Sequence, residues 1–283
     1  MMLKDDPKIG DDQASDLRVG DLLRDWRQRR RLSQLSLATD AEISQRHLSF
    51  LESGRSLPSR EMVIRLSERL AVPLRDRNMI LTAAGFAPVY RERSLDAPEL
   101  KAARSAIDLI LAGHTPHPAL AVDRDWTLLS ANGPANLLMA GVAGHLVEGK
   151  INVLRISLHP EGLASRILNF KEWRAHILAR LAREAEISGA PSLFALLDEL
   201  KSYPTPAHAL STRHSSVSDG GIVVPLTLAS DGGPLSFIST TTVFGTAVDV
   251  TLSEVTIEAF FPANPETSKE MTKFLAAAPS LGA

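Results

Sequence analysis

Three side chains along one short stretch have the chemistry to read a nucleic-acid base edge. Gln45, Arg46 and Ser49 lie in QLSLATDAEISQRHLSFLESG, which runs from Gln34 to Gly54. A helical wheel of its second half centres Leu48, Leu51 and Ser44 on one face. Arg46, Ser49 and Ser53 lie on the opposite face, with Gln45 at its edge. Arginine pairs bidentately with guanine, glutamine pairs with adenine, and serine accepts either partner. A polar solvent face on an ordinary helical bundle has the same amphipathicity, so the surroundings must separate the two readings.

Charge provides the first separation. The net charge of −2 conceals three regions. Residues 1–17 carry a net −3, residues 18–93 a net +6 and residues 94–283 a net −5. In the basic stretch all fifteen cations are arginine, against nine acidic residues. Guanidinium groups favour planar contacts to phosphates and base edges over diffuse attraction. The acidic first 17 residues read as a mobile tail.

The elements needed to hold those side chains are legible between residues 18 and 88. Leu22, Leu23 and Trp26 mark one helix. Ser33 caps a second, in which Leu37 and Ala38 point inward. Ser44 caps a third, closed by Gly54. Pro58-Ser59 opens a fourth through Met62, Leu66 and Leu70, and Pro73 opens a fifth ending at Gly85. Ala38 is the small residue that lets the second and third helices cross, with Ile43, Leu48 and Leu51 locking the third. Spacing, capping and basic balance favour DNA over a merely solvated face.

Beyond a proline-bearing junction at residues 89–98 the pattern changes to α+β. A helix is expected at Glu99–Ala112 and strands at Ala119–Asp123 and Thr127–Ala131, followed by a helix capped by Asn132. Residues 150–200 read as mainly helical, with a long amphipathic segment from Phe170 to Ile187. Three more strands are expected at Gly221–Leu228, Pro234–Val243 and Ala247–Phe261, with Gly232-Gly233 as a hairpin turn and a short helix from Pro265.

Chemistry of other kinds finds little support. With no cysteine there is no thiol nucleophile, disulfide or thiolate metal site. His114 and His117 are separated by Pro116, which denies them helical geometry, and no Glu or His stands at a metal-site spacing from them. His159 and His176 have no recognisable triad partner, and no Gly-rich phosphate loop is present. Catalysis, a metal and a cofactor are therefore not expected. The acidic start lacks an apolar core and no run approaches a membrane span, so a cytoplasmic protein is expected.

The basic region resembles the lambda-repressor-like helix-turn-helix domains of the XRE family, through RRRLSQ, FLESGRSLPS and AVPLRDRNMILTAAGF around the central stretch. One departure is Glu42, where the family usually has Gly in the turn. The resemblance implies phosphate approach by Gln34 and Ser44 at helix starts, base reading by Gln45, Arg46 and Ser49, and a phosphate contact by Arg55. Phe50 touches a thymine methyl or covers the bundle. Glu52 pairs with Arg60 or Arg55 as scaffold, and Arg29, Arg30 and Arg31 add phosphate contacts or form a solvated cluster.

The second half is similar to the MmyB-like ligand-binding domain, which is PAS-like in fold. The segments that carry this resemblance are PALAVDRDWTLLSANGPA, INVLRISLHPEGLASRILNFKEW and VPLTLASDGGPLSFISTTTVFGTAVDVTLSEVTIEAFFPAN. It implies a sheet of about five antiparallel strands within residues 99–283 and a hydrophobic, fatty-acyl-like ligand. Candidate lining residues are Leu154, Leu158, Ile167, Phe170, Trp173, Ile177 and Phe237, with His159, Arg166 or Thr241 meeting a carboxylate head group. Either strand face, Phe237–Ser239–Thr241–Val243 or Ile238–Thr240–Thr242, is open as the inner one. A homodimer on a pseudo-palindromic operator follows from the small size of one helix-turn-helix. A constitutive dimeric repressor, or a fused enzyme, stands as the alternative.

Overall fold

The computed structural model describes residues 18–207, 209, 224–245 and 247–277. The acidic tail at 1–17 and residues 221–223 of the expected third strand lie outside them. The chain divides into two compact units. One comprises the described residues to Glu92 with Val248–Val250; the other runs from Arg93, with 251 onward.

The first unit is all-α, with helices α1 (Val19–Arg29), α2 (Gln34–Asp40), α3 (Gln45–Glu52), α4 (Arg60–Arg69) and α5 (Leu74–Ala83). Serine begins three of them. Ser33, Ser44 and Ser59 accept the amides of Ser36, His47 and Met62, each satisfying a donor that the helix leaves free. Leu23, Leu37, Leu48, Leu51, Leu66 and Leu70 are fully buried in one core. Gly20 allows α1 to cross α3 closely, since a Cβ there would stand 2.4 Å from the Leu51 carbonyl oxygen.

The helices end alike. After each, the first residue past the cap turns left-handed, and the last carbonyls receive paired 5→2 and 6→1 amide bonds, as in Glu42 N–H to Thr39 and Ile43 N–H to Ala38. Only Gly54 (φ 72°) and Gly85 (φ 82°) have the residue type that suits this bend; Arg31 (φ 55°), Glu42 (φ 56°) and Ala71 (φ 47°) do not. An L side chain in this region costs roughly 1–2 kcal/mol, partly offset by the greater unfolded-state entropy of glycine. Glu42→Gly and Ala71→Gly are each expected to stabilise the unit by about 0.5–1 kcal/mol. Denaturant titration checks this; a loss of stability would mean that the side chains contribute more than the bend costs.

The second unit begins with a 3-10 turn at Pro98–Leu100 and α6 (Lys101–Gly113). Next come β1 (Ala119–Val122), β2 (Leu128–Ala131), α7 (Gly133–Leu138), α8 (Val153–Leu158), α9 (Phe170–Ser188) and α10 (Pro191–Ser202). β3 (Leu226–Leu228), β4 (Leu235–Val243), β5 (Thr256–Pro262) and α11 (Pro265–Ala277) complete it. The strands form one antiparallel sheet in the order β2-β1-β5-β4-β3. The expected five-stranded α+β domain is therefore present.

Each sheet face has its own core. Ala119, Ala121, Val255 and Ile257 pack with Ile107 and Leu111 of α6. Leu120, Val122 and Phe237 pack with residues of α8, α9 and α10. The inner face of β4 on the α9 side is thus the one bearing Phe237 and Thr241. Buried Asn132 joins three elements: its carbonyl oxygen accepts the amides of Ala119 and Ala135, and its Nδ2 donates to the Leu111 and His117 carbonyls.

Three element boundaries differ from expectation. β3 starts at Leu226, and Val224 and Pro225 of the strand expected from Gly221 lie outside any strand. β5 starts at Thr256 rather than Ala247, because β4 ends at Val243, paired with Thr256, and leaves no strand for residues 247–255 to join. Val250–Ser253 instead makes a helical turn, and Val248 is 82% exposed. The final helix runs 13 residues, longer than the short one expected.

Candidate functional site

α3 presents the polar face that the wheel anticipates. Ser44, Gln45, Arg46 and Arg55 are exposed, while Ser49 and Phe50 are half-buried. Two guanidiniums lie over the Phe50 ring, Arg46 at 5.3 Å and Arg55 at 5.8 Å from its centroid. Such contacts restrict two long side chains at an exposed surface without consuming their N–H donors. Phe50 thus orients both cations. Ser44 uses its hydroxyl as a helix cap, accepting from the His47 amide at 3.1 Å.

Behind this face is a buried ion pair different from the one expected for Glu52. Glu52 is buried, and Arg27 of α1 clasps it in a fork, with Nε to Oε1 at 2.6 Å and Nη2 to Oε2 at 2.8 Å. Hydrogen bonding to Glu52 holds the Arg27 pKa above its usual value. Gln34 Nε2 donates to the same carboxylate at 2.8 Å. Glu52 therefore pairs with Arg27, correcting the expectation of Arg60 or Arg55, and Gln34 braces the start of α2 against the end of α3. The signal was present in the periodicity: Arg27 follows Leu23 by four residues and Glu52 follows Leu48 by four, which turns both toward the core.

The three consecutive arginines have distinct surroundings. Arg30 donates to the Leu70 and Ala71 carbonyls at the end of α4, and burial pulls its pKa down. Arg29 and Arg30 both lie over the Trp26 ring. Arg31 occupies the left-handed bend after α1 and is exposed.

In the second unit, the expected lining residues come together. Leu154, Leu158, Ile167, Phe170, Trp173, Ile177 and Phe237 all belong to one buried cluster on the helical side of the sheet. Asn152 caps α8 with its carbonyl oxygen, and Trp173 Nε1 donates to Ser157 at 2.9 Å, fixing α8 against α9. Arg155 and Glu199 form a two-bond pair between α8 and α10, and the Arg155 bond holds the Glu199 carboxyl below its usual range.

The three head-group candidates do not converge. Arg166 Nη1 donates to the Leu138 carbonyl at 2.9 Å, closing the end of α7. Thr241 is exposed; it donates to Glu258 at 2.9 Å and accepts from Arg180 at 3.1 Å. His159 packs edge-on against Tyr203, with centroids 5.0 Å apart, and its Nδ1 accepts the Glu161 amide.

A second buried pair lies between α9 and the sheet. Arg180 reaches Glu258 of β5 at 2.6 Å and Glu184 at 3.0 Å, and its guanidinium lies 4.6 Å from the Trp126 centroid. Trp126 Nε1 in turn donates to Glu184 at 2.9 Å. His176 stacks on Trp173 and is held below its usual pKa by burial and by Arg180 and Arg183. Glu258 alternates inward on β5 with Phe260, which was the available sequence signal.

Two family models match this chain. The family model described as "MmyB-like transcription regulator ligand binding domain" matches residues 103–273, and a helix-turn-helix model matches residues 23–76. Among solved structures, "Structure of an RNA-binding Light-Oxygen-Voltage Receptor" aligns at a TM-score of 0.27 and 14% identity. That alignment covers 93% of this chain and 63% of the other, so the chain spans less than two thirds of that receptor. No match was found among curated proteins. Among the described residues no helix is long and apolar enough to cross a membrane. A basic five-helix unit with a polar face on α3, followed by an α+β unit matched over most of its length, establishes the family: the chain belongs to the MmyB-like transcription regulators and joins a helix-turn-helix DNA-binding domain to a ligand-binding domain.

Proposed function

We propose that this regulator binds a pseudo-palindromic operator as a homodimer and that a hydrophobic, fatty-acyl-like ligand in the second domain alters operator affinity. The observation that carries the proposal is the gathering of Leu154, Leu158, Ile167, Phe170, Trp173, Ile177 and Phe237 into one apolar cluster between the sheet and α8–α10. An alkyl chain entering such a cluster gains about 0.8 kcal/mol for each methylene removed from water. A ligand changes DNA affinity only if it binds the competent and incompetent dimer geometries differently. Solvent extraction of the purified, denatured protein followed by mass spectrometry tests occupancy. A stoichiometric acyl species is the expected result.

A second reading is favoured by the same burial. Leu158, Ile167 and Phe237 are each 0% exposed and pack like an ordinary filled core. In that reading the second domain only dimerises, and the repressor is constitutive. An empty extract from a dimer with full operator affinity would select it.

In the DNA-binding domain, we assign base reading to Gln45, Arg46 and Ser49 and phosphate contact to Arg55. Arg46→Ala is expected to cost about 1–3 kcal/mol of operator affinity and to relax the base preference at one position of each half-site. Selection from random duplexes with both proteins checks this. An unchanged preference would remove Arg46 from the reading face.

A further inference from the structure

The fold brings two histidines, one of them the His159 that lacks a recognisable triad partner, beside a carboxylate. His145, His159 and Glu161 each place one ligand atom within 4.8 Å of the other two. They come from separate turns, the 3-10 turn Gly144–Leu146 and the loop after α8, so no local motif connects them in the sequence. The turns are tied by the Ala143 amide, which donates to the Glu161 carbonyl at 3.0 Å. The second loop is also closely seated, since a Cβ on Gly162 would stand 2.2 Å from the Ile156 carbonyl oxygen.

From this juxtaposition we infer that His145, His159 and Glu161 form a binding site for a divalent transition-metal ion of the zinc class. Two imidazoles and one carboxylate suit zinc, cobalt or nickel far better than calcium or magnesium, which prefer all-oxygen donors. Tetrahedral ligands held at about 2.0–2.2 Å lie roughly 3.4 Å apart, so donors now within 4.8 Å of one another must close by up to about 1.4 Å. His145 and Glu161 are exposed and already face each other, with Nε2 to Oε2 at 4.0 Å, so side-chain rotation can supply that closure. His159 is the more fixed member, half-buried and edge-on to both His145 and Tyr203. Its Nδ1 accepts the Glu161 amide at 3.1 Å, a bond that is given up if this nitrogen is the one that takes the ion. Three protein ligands leave a coordination position for water or an added anion.

The site stands at the edge of the helical-side core. Leu158 and Leu163 flank the second loop and belong to that core, and Leu146 packs against it. An ion would therefore cross-link two turns that seat core residues.

The test is calorimetric titration of the untagged full-length protein with zinc, accompanied by cobalt titration followed by visible absorption. One zinc per chain is expected, with intense d–d bands for cobalt in a low-coordinate N/O site. His145→Ala and Glu161→Gln, both at exposed positions, and His159→Ala are each expected to weaken binding by at least about 100-fold. His117→Ala, in the other histidine pair, should leave it unchanged. Absence of saturable zinc uptake would overturn the proposal. So would stoichiometric uptake that survives His145→Ala and Glu161→Gln or is abolished by His117→Ala.

Discussion

Arg27→Ala should nearly melt the DNA-binding unit while leaving the second unit folded. The substitution removes the fork around Glu52, which is 3% exposed, and leaves its carboxylate with Gln34 as its side-chain partner. Breaking one side of a buried ion pair costs about 3–5 kcal/mol because the remaining charge keeps its desolvation penalty without compensation. That is a large part of the stability of a domain this size. The packing explains why relief is limited: Gly20 brings α1 against the Leu51 and Glu52 carbonyls, so α3 cannot readily turn Glu52 to solvent without losing that crossing. Hydrogen exchange on the full chain separates the units. Amides of α1 and α3 should lose roughly two to three orders of magnitude of protection, while those of β4 and β5 should not change. Equal protection in α1 and α3 would show that the pair contributes little beyond its own desolvation.

Arg180→Met is the corresponding lesion in the ligand-binding unit. It would leave Glu258, 4% exposed, with Thr241 as its remaining hydrogen-bond donor and remove the cation from the Trp126 face. A similar loss of about 3–5 kcal/mol is expected from the stranded carboxylate. The double variant Arg180→Met with Glu258→Leu separates charge from packing. It should recover most of the stability, since a buried pair replaced by apolar groups of similar volume is commonly neutral or better. Chemical denaturation of all three proteins measures this. A double variant no more stable than Arg180→Met would show that the pair acts through the Glu184 and Trp126 network instead.

Local rules made most of the first unit legible. Serines at 33, 44 and 59 are N-caps, and helical periodicity locates Leu23, Leu48, Leu51 and Leu66 in the core. The bends after α1 and α4 were not legible, because Arg31 and Ala71 lack the residue type that marks a left-handed position, and only the closing amide bonds reveal it. In the second unit a strand was expected from Ala247, but strand formation needs a partner and β4 had already ended. The apolar candidates for the ligand site were recoverable because burial follows periodicity. Their polar companions were not: Arg166 could not be known to close α7, nor Thr241 to meet Arg180 and Glu258, since these pairings join residues 17 to 61 positions apart on different elements.

The proposed coupling between acyl occupancy and DNA affinity is measured most directly by one comparison. An operator selected from random duplexes would be titrated with solvent-stripped, refolded protein and with the same protein reloaded with its extracted acyl compound. Affinities differing by at least about fivefold, in either direction, are expected for a ligand that distinguishes the two dimer geometries. Identical affinities, with occupancy verified in the loaded sample, would contradict ligand control and leave constitutive DNA binding.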